Sequence, residues 1–514
     1  MLTYIVRRLI AAVLILLGAS FIVYQLTAMS GDPLADLRES NNPNKEALMA
    51  ARSQLLDLGT PAPIRYFKWI GGAAQCLIPF AGKCDLGFNL VGAPVTESLG
   101  RAMGQTILLV TAATFLAIFI GIALGILSAL RQYSALDYSV TFMAFLFFSL
   151  PIFWLAVLLK EYGAIGFNNF LKDPVFSPMA IMITAIFMGL VVMLFMRGTW
   201  IKRSIGFTIG AAVTAGLMIA LSAVGWFRTP GLGPILILLF GVGAAYLVTQ
   251  LVAGIRNKRA LYSALIMVAV GIVSYYVLNP LFQNMNWWGI VLGAIACIVI
   301  GCVVGYFMGG YDRGQSMRAA SLTALLVGGL VVLDRFMIEW PNYFNNSRVR
   351  GRPIATIGSN TPNLQGDWWI QTTDTFTHLL LPTIALMLVS LAGYSRYSRA
   401  SMLEIMQQDY IRTARAKGLP ERTVVMRHAF RNALIPLATL VAFDIGGLIG
   451  GAVVTERVFA FTGMGDLFVR SLVPIPDPNP VMGTFLVIGI VALVFNLVAD
   501  LVYSVLDPRV RVKA

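Results

Sequence analysis

Between two apolar runs near the C-terminus the chain reads Asp409-Tyr410-Ile411-Arg412-Thr413-Ala414-Arg415-Ala416-Lys417-Gly418-Leu419-Pro420-Glu421, then continues through Arg427-His428-Ala429-Phe430-Arg431-Asn432. Cations at Arg412, Arg415, Lys417 and Arg422 offer pairing with the carboxylates of a partner. On spacing alone the stretch is either a docking element or a positive-inside loop, and neither makes bonds. Gly418 can supply a left-handed C-cap, and Pro420 suits the first turn of a following helix. A rigid helix-turn-helix elbow is therefore expected, with Ala414 and Ala416 small enough to let another backbone approach. The sequence has no Gly-x-x-x-x-Gly-Lys-Ser/Thr loop to cradle nucleotide phosphates. With His378 and His428 as its two histidines, it also has no metal-ligand cluster. Neither catalytic residues nor a metal site are expected.

The elements that carry this elbow are set by composition. With 58% apolar and 12% charged residues, the chain lacks the polar surface to coat a soluble globule. Apolar runs near the ~20 residues needed to cross hydrocarbon begin at Leu9, Thr106, Tyr138, Met179, Ile205, Leu232, Leu261, Gly289, Ala319, Phe376, Ala433 and Val481. Twelve spanning helices are expected. Arg7 and Arg8 precede the first, and alternate loops carry Arg131, then Arg197, Lys202 and Arg203, then Arg256, Lys258 and Arg259, then Arg313 and Arg318. By the positive-inside rule both termini and the elbow face the cytoplasm. The formal charge of +14 follows from that asymmetry and from anionic lipid, so no nucleic-acid partner is implied.

Cys297 and Cys302 lie in one apolar run and read as small buried hydrophobes. Cys76 and Cys84, in the first external loop, could close a small disulfide or remain free thiols, because sequence does not fix the Cα separation a bridge needs. Ionisable residues inside apolar runs are costly. Asp444 either lines a pathway or bonds to a neighbouring helix. Asp334-Arg335 reads as an interfacial or mutually paired dipeptide, and Asp500 as interfacial. Pro151 and Pro382 can kink helices. The pairs Gly446-Gly447 and Gly450-Gly451 place Gly447 and Gly451 at a spacing for close helix packing, internal or against another subunit.

The elbow resembles the coupling loop of ABC-transporter permeases. Their Glu-Ala-Ala, three residues, Gly, nine residues, Ile-x-Leu-Pro pattern falls on Arg412-Thr413-Ala414, Gly418 and His428-Ala429-Phe430-Arg431. Arg412 and Arg431 depart from the general pattern but are similar to the dipeptide and oligopeptide branch. The resemblance extends to Ser30-Gly31-Asp32-Pro33, Leu58-Gly59-Thr60-Pro61, Asp85-Leu86-Gly87, His378-Leu379-Leu380-Leu381-Pro382, Thr455-Glu456-Arg457-Val458-Phe459 and Leu506-Asp507-Pro508-Arg509.

This resemblance implies an all-α polytopic membrane protein, a six-helix ABC importer permease core with about six additional transmembrane helices. The expected divisions are an N-terminal core over residues 1–173, an inserted membrane region over 174–345 and a C-terminal core over 346–514. It also implies a non-catalytic permease subunit for peptide import, with the elbow (409–421, His428, Arg431) touching an ATPase. Its expected partners are a second homologous permease, two ATPase subunits that hold ATP and Mg, an extracytoplasmic substrate-binding protein and the lipid bilayer of the cell membrane. Nickel, glutathione or another small solute remains an alternative cargo, and a stand-alone secondary transporter the alternative class. The latter should show related halves, and no repeat between halves is visible. An integral membrane enzyme sited in the insertion is a further rival, but that region lacks clustered His, Asp, Glu or Cys.

Overall fold

The computed structural model describes residues 2–76, 84–196 and 198–506, and every regular element among them is helical. In chain order the main helices are α1 (Leu2–Met29), α2 (Val95–Leu130), α3 (Ala135–Ser149), α4 (Pro178–Phe195), α5 (Trp200–Val224), α6 (Gly233–Val252), α7 (Lys258–Val277), α8 (Trp287–Met308), α9 (Arg313–Phe344), α10 (Trp368–Met406), the short α11 (Asp409–Ala416), α12 (Phe430–Gly451), the short α13 (Met464–Arg470) and α14 (Pro478–Leu506). Among the described residues ten helices are long and apolar enough to cross a membrane. The protein is thus an all-α, multi-pass membrane protein. The run expected from Ala433 forms α12.

The run expected from Tyr138 bends at Pro151, one of the two prolines expected to kink a helix. Helix α3 stops at Ser149, and the chain turns by 103° before Ile152–Phe170. Leu150 is extended (φ −80°, ψ 126°), because the ring of Pro151 disfavours helical backbone at the preceding residue. Pro382, by contrast, sits within the uninterrupted α10.

Two compact units divide the chain. Among the described residues, those up to 163, 356–359 and from 379 onward form the first, and 164–355 with 360–378 form the second. The expected inserted region, 174–345, falls inside the second unit, whose hydrogen bonds reach past both of its ends. The Asn168 side chain donates to Ile354 O (2.8 Å) and accepts from Ile354 N (3.1 Å). Tyr343 Oη donates to Asp374 Oδ1 (3.1 Å) and lies 2.9 Å from Thr377 Oγ1.

In the first unit, the stretch between α1 and α2 is a folded cap and not a loose loop. It forms the short helices Ala35–Glu39, Lys45–Leu55 and Ala62–Gln75. Tyr66, Trp69 and Ala73 are buried with Tyr24 of α1, Val95 and Leu99 of α2, and Met482 and Leu486 of α14. Trp69 Nε1 donates to Leu86 O at 3.0 Å, satisfying the one polar atom that burial of the indole brings with it. Cys76 and Cys84 are disulfide-bonded, with Cα atoms 4.3 Å apart.

In the second unit, α6, α7 and α9 share a buried apolar core that includes Ile237, Ala264, Val268, Val327 and Val331. Helix α8 lies close on α9 through Gly301 and Gly305, which face the backbone of Ser321 and Met317. Such small-residue contacts carry helix association where lipid removes the hydrophobic drive. Only 11% of the most apolar window of α4, α5 or α8 is buried, so their other faces suit hydrocarbon. Of the two readings of Asp334-Arg335, interfacial or mutually paired, the mutual pair does not form. Asp334 accepts the free N–H groups of Leu232 (2.6 Å) and Gly233 (3.0 Å) at the start of α6, while Arg335 pairs with Glu339 at 2.8 Å. One helical turn separates Arg335 from Glu339, whereas adjacent residues on a helix do not face each other.

Candidate functional site

The elbow lies wholly in the first unit. Gln408 is extended (φ −68°, ψ 148°) and Asp409 opens α11, where a carboxylate favours the positive helix start. The helix is closed by its backbone. Gly418 takes φ +73°, its N–H donates to Arg415 O at 2.9 Å, and the Leu419 N–H donates to Ala414 O at 3.4 Å. These two bonds form a Schellman cap, which glycine alone enters without a Cβ penalty. Pro420 precedes a single turn, Glu421–Thr423, that runs through the wider π-helical Val424–Ala429 into α12.

The inner face follows the helical spacing. Ile411 and Ala414 are buried with Val424, Val425, Ala429 and Ala433, against Met402 of α10 and Ala129 of α2. Ala414 is therefore not open to an approaching backbone, as the sequence suggested, because the i, i+3 register turns it inward. The outer face exposes Asp409, Arg412, Thr413, Arg415, Ala416, Lys417, Gly418, Leu419, Pro420 and Glu421; His428 is half-buried and Arg431 exposed.

Its charges are already partly committed. Arg415 forks onto Glu421 across the turn, Nε to Oε2 at 3.1 Å and Nη2 to Oε1 at 2.7 Å. The Arg415 guanidinium holds the Glu421 carboxyl below its ordinary value. This pair bridges the turn that follows α11, so Arg415 is not the open cation that sequence alone implied. Arg412 lies 3.5 Å from Asp409 with both side chains well exposed, a contact of at most ~1 kcal/mol. Lys417 makes no ion pair among the described residues. Asn432 Nδ2 donates to Tyr410 Oη and to His428 O, both at 3.0 Å, tying α11 to α12.

Beneath the elbow lies a cluster that the sequence reading missed. Arg399 of α10 forks onto Asp137, Nε to Oδ1 at 2.8 Å and Nη2 to Oδ2 at 3.0 Å. Ser128 Oγ and the Tyr133 N–H also donate to that carboxylate. Asp137 is buried and joins the end of α2, the start of α3 and the last turns of α10. The signal was present as Ser134-x-x-Asp137 ahead of an apolar run, a helix-start pattern, and Ser134 does cap α3.

A second missed feature is Gly121-x-x-x-Gly125. A Cβ on Gly121 would fall 2.8 Å from Tyr394 Cβ, and one on Gly125 2.5 Å from Ser395 O, so α2 and α10 need glycine at both positions. Gly447 and Gly451, expected to serve such packing, lie outside the residues whose side-chain surroundings are described. Asp444 is half-buried on α12 beside the Tyr394 phenol of α10.

The opposite segment, residues 455–480, is equally built. Glu456 is fully buried and accepts from Thr106 Oγ1 (2.7 Å) and from the Asp466 N–H (2.9 Å), while the Met464 N–H donates to Thr106 Oγ1 (2.8 Å). Asp477 accepts the Leu90 N–H at 2.7 Å, and Asn479 Nδ2 donates to Phe88 O at 2.8 Å. Burial pushes the Asp477 carboxyl up to about 6 against the hydrogen bonds from the backbone N–H groups of Leu90 and Asn479.

Residues 344–512, which include the elbow, match the family model described as the binding-protein-dependent transport system inner membrane component. The chain is 37% identical over 231 residues to the oligopeptide transport system permease protein OppB of Mycobacterium tuberculosis (strain ATCC 25618 / H37Rv), covering 43% of this chain and 69% of that protein. This chain is an inner-membrane permease of that family. It is also 24% identical to the oligopeptide transport system permease protein AppB of Bacillus subtilis over 99% of this chain and all of that protein, and 35% identical to the dipeptide transport system permease protein DppB of Lactococcus lactis over 42% of this chain and 66% of that protein. The permease is therefore a multi-pass transport subunit.

Proposed function

We propose that this permease is one half of the translocation path of an ATP-driven peptide importer, and that α11 with its Gly418 turn seats in an ATPase subunit. Hydrolysis takes place on two such partners, which hold ATP and Mg. A second homologous permease completes the path, and an extracytoplasmic binding protein delivers cargo to the side of Glu456 and Asp477. The termini and elbow face the cytoplasm, as the placement of Arg and Lys favours. The observation that carries the reading is the two-faced elbow. Its apolar side is locked onto α10, α2 and α12, while Arg412 and Lys417 are presented outward on a backbone-capped helix. A push on that outer face reaches α10 through Met402 and α12 through Ala433 without a flexible joint. Closure of the ATPases thereby rocks the two permeases and alternates access.

The test is to tag the chain, purify it from native membranes and reconstitute the assembly. Recovery of two ATPases, a second permease and ATP-dependent peptide uptake is expected. In Arg412→Glu/Lys417→Glu, uptake should fall about tenfold, the factor carried by ~1.4 kcal/mol of docking energy, with folding unchanged. A chain that purifies alone and moves solute without ATP would falsify the reading. Stimulation by nickel or glutathione in place of peptides would move the cargo while keeping the mechanism.

A further inference from the structure

The second unit holds a feature that transport coupling does not use. Between α6, α8 and α9 lies an open groove of about 490 Å³, a size within the roughly 300–1,000 Å³ typical of small-molecule sites. Its walls are apolar, including Val252, Ile298, Met317, Leu322 and Leu325, and Arg318 is the one ionic side chain that lines it. Ile298 and Leu322 are 41% and 45% exposed, so the groove opens on the outer face of the unit, where a membrane places acyl chains. The polar atoms inside are already occupied: Ser321 Oγ donates to Ile298 O at 3.1 Å and lies 3.3 Å from Cys302 Sγ.

The charge at this end of the unit is strongly positive. The turns joining α6 to α7 and α8 to α9 bring Arg256, Lys258, Arg259 and Arg313 to the same end as Arg318, against a single carboxylate, Asp312, which accepts from Asn257 Nδ2 at 3.3 Å. Arg318 is exposed and makes no ion pair among the described residues. At the far end, residues 278–286 carry no charge.

We propose that this groove binds an anionic phospholipid, with an acyl chain along Ile298, Met317 and Leu325 and the headgroup phosphate at Arg318. Basic pockets between spanning helices recognise such headgroups. A free anion would leave the apolar walls uncovered, and a peptide strand would bring backbone groups that the occupied Ser321 and the lone cation cannot satisfy. The site would make the inserted unit a lipid-sensing attachment.

The experiment uses the intact transporter in non-ionic detergent, with added phosphatidylglycerol or phosphatidylcholine and bound lipid counted by native mass spectrometry. Phosphatidylglycerol should be retained in preference to phosphatidylcholine, and Arg318→Ala should weaken that retention about fivefold, the factor for one membrane-facing cation. Gly314 also lines the groove, and a Cβ added there meets nothing within 4 Å. Gly314→Leu should therefore block the groove and abolish retention, with thermal stability in lipid-free detergent unchanged. Equal retention by wild type and both variants, or equal retention of the two lipids, overturns the proposal. So does displacement by inorganic phosphate alone, which marks a simple anion site, or a protein subunit cross-linked to Cys302, which marks a protein-filled groove.

Discussion

The end of the first unit that carries the elbow and the basic end of the second unit use cations in opposite ways. Around the elbow Arg399 and Arg415 are forked onto Asp137 and Glu421, so charge is spent on fixing the angles between helices. In the second unit Arg318 borders an apolar groove without a carboxylate, and its helices are held by small residues such as Gly301 and Gly305. A membrane protein that transmits force needs joints that do not slip. One that only packs in lipid can rely on close-fitting backbones, leaving its cations for the surroundings.

The largest effect that would break this contrast is expected at Asp137. Asp137→Ala strands Arg399 half-buried, and losing one partner of such a pair costs about 3–5 kcal/mol. A large drop in melting temperature and loss of ATP-coupled uptake are expected, with Arg399→Ala/Asp137→Ala recovering part of the stability. If Asp137→Ala behaves like wild type, the joint is not where force passes.

Next comes Asp477, whose carboxyl sits at about 6 in the folded protein. Its value is raised on folding, so the stability linked to it is fully present below the ordinary carboxylate value and is lost as pH rises through about 6. Asp477→Asn should flatten the melting profile between pH 4 and 7 and raise stability at pH 7.5 by ~1–3 kcal/mol. An unchanged pH profile would exclude Asp477 as the source.

Glu421→Gln is expected to cost less than ~1 kcal/mol, because the pair with Arg415 is exposed. Its effect should appear in coupling: ATP hydrolysis less stimulated by substrate, with melting unaltered. The smallest effect on uptake, though not on stability, is expected from removing residues 178–340 behind a short linker, which uncovers Trp369. Even-numbered spans return the chain to the same side, and uptake should persist. Loss of assembly in that deletion would show that the insertion belongs to the machine.

Much of the fold was legible because hydrophobic runs of membrane length have one solution, and the runs beginning at Leu9 and Ala319 formed helices. The kink at Pro151 in the run from Tyr138 was readable from residue type, but its 103° angle was not, because hydropathy is blind to direction. At the elbow the cap at Gly418 was readable from residue type, since a left-handed turn after a helix asks for glycine. The inward turn of Ala414 and the internal use of Arg415 were not, because both depend on which face meets α10. Asp137 and Arg399 are 262 residues apart, a pairing no local pattern encodes. For Asp334-Arg335 the mutual-pairing alternative failed for the opposite reason, since neighbours in the chain do not face each other on a helix.

The Cys76–Cys84 bridge carries a record of where the chain has been. Thiols oxidise on the extracytoplasmic side and stay reduced in the cytosol, so a closed bridge in protein taken from cells marks the cap between α1 and α2 as translocated. From that one fixed point the sidedness of α1 follows, and with it that of the N-terminus, with no tag or fused reporter to disturb insertion. The cap thus doubles as its own passport stamp, readable by whether alkylation before and after reduction adds two thiols.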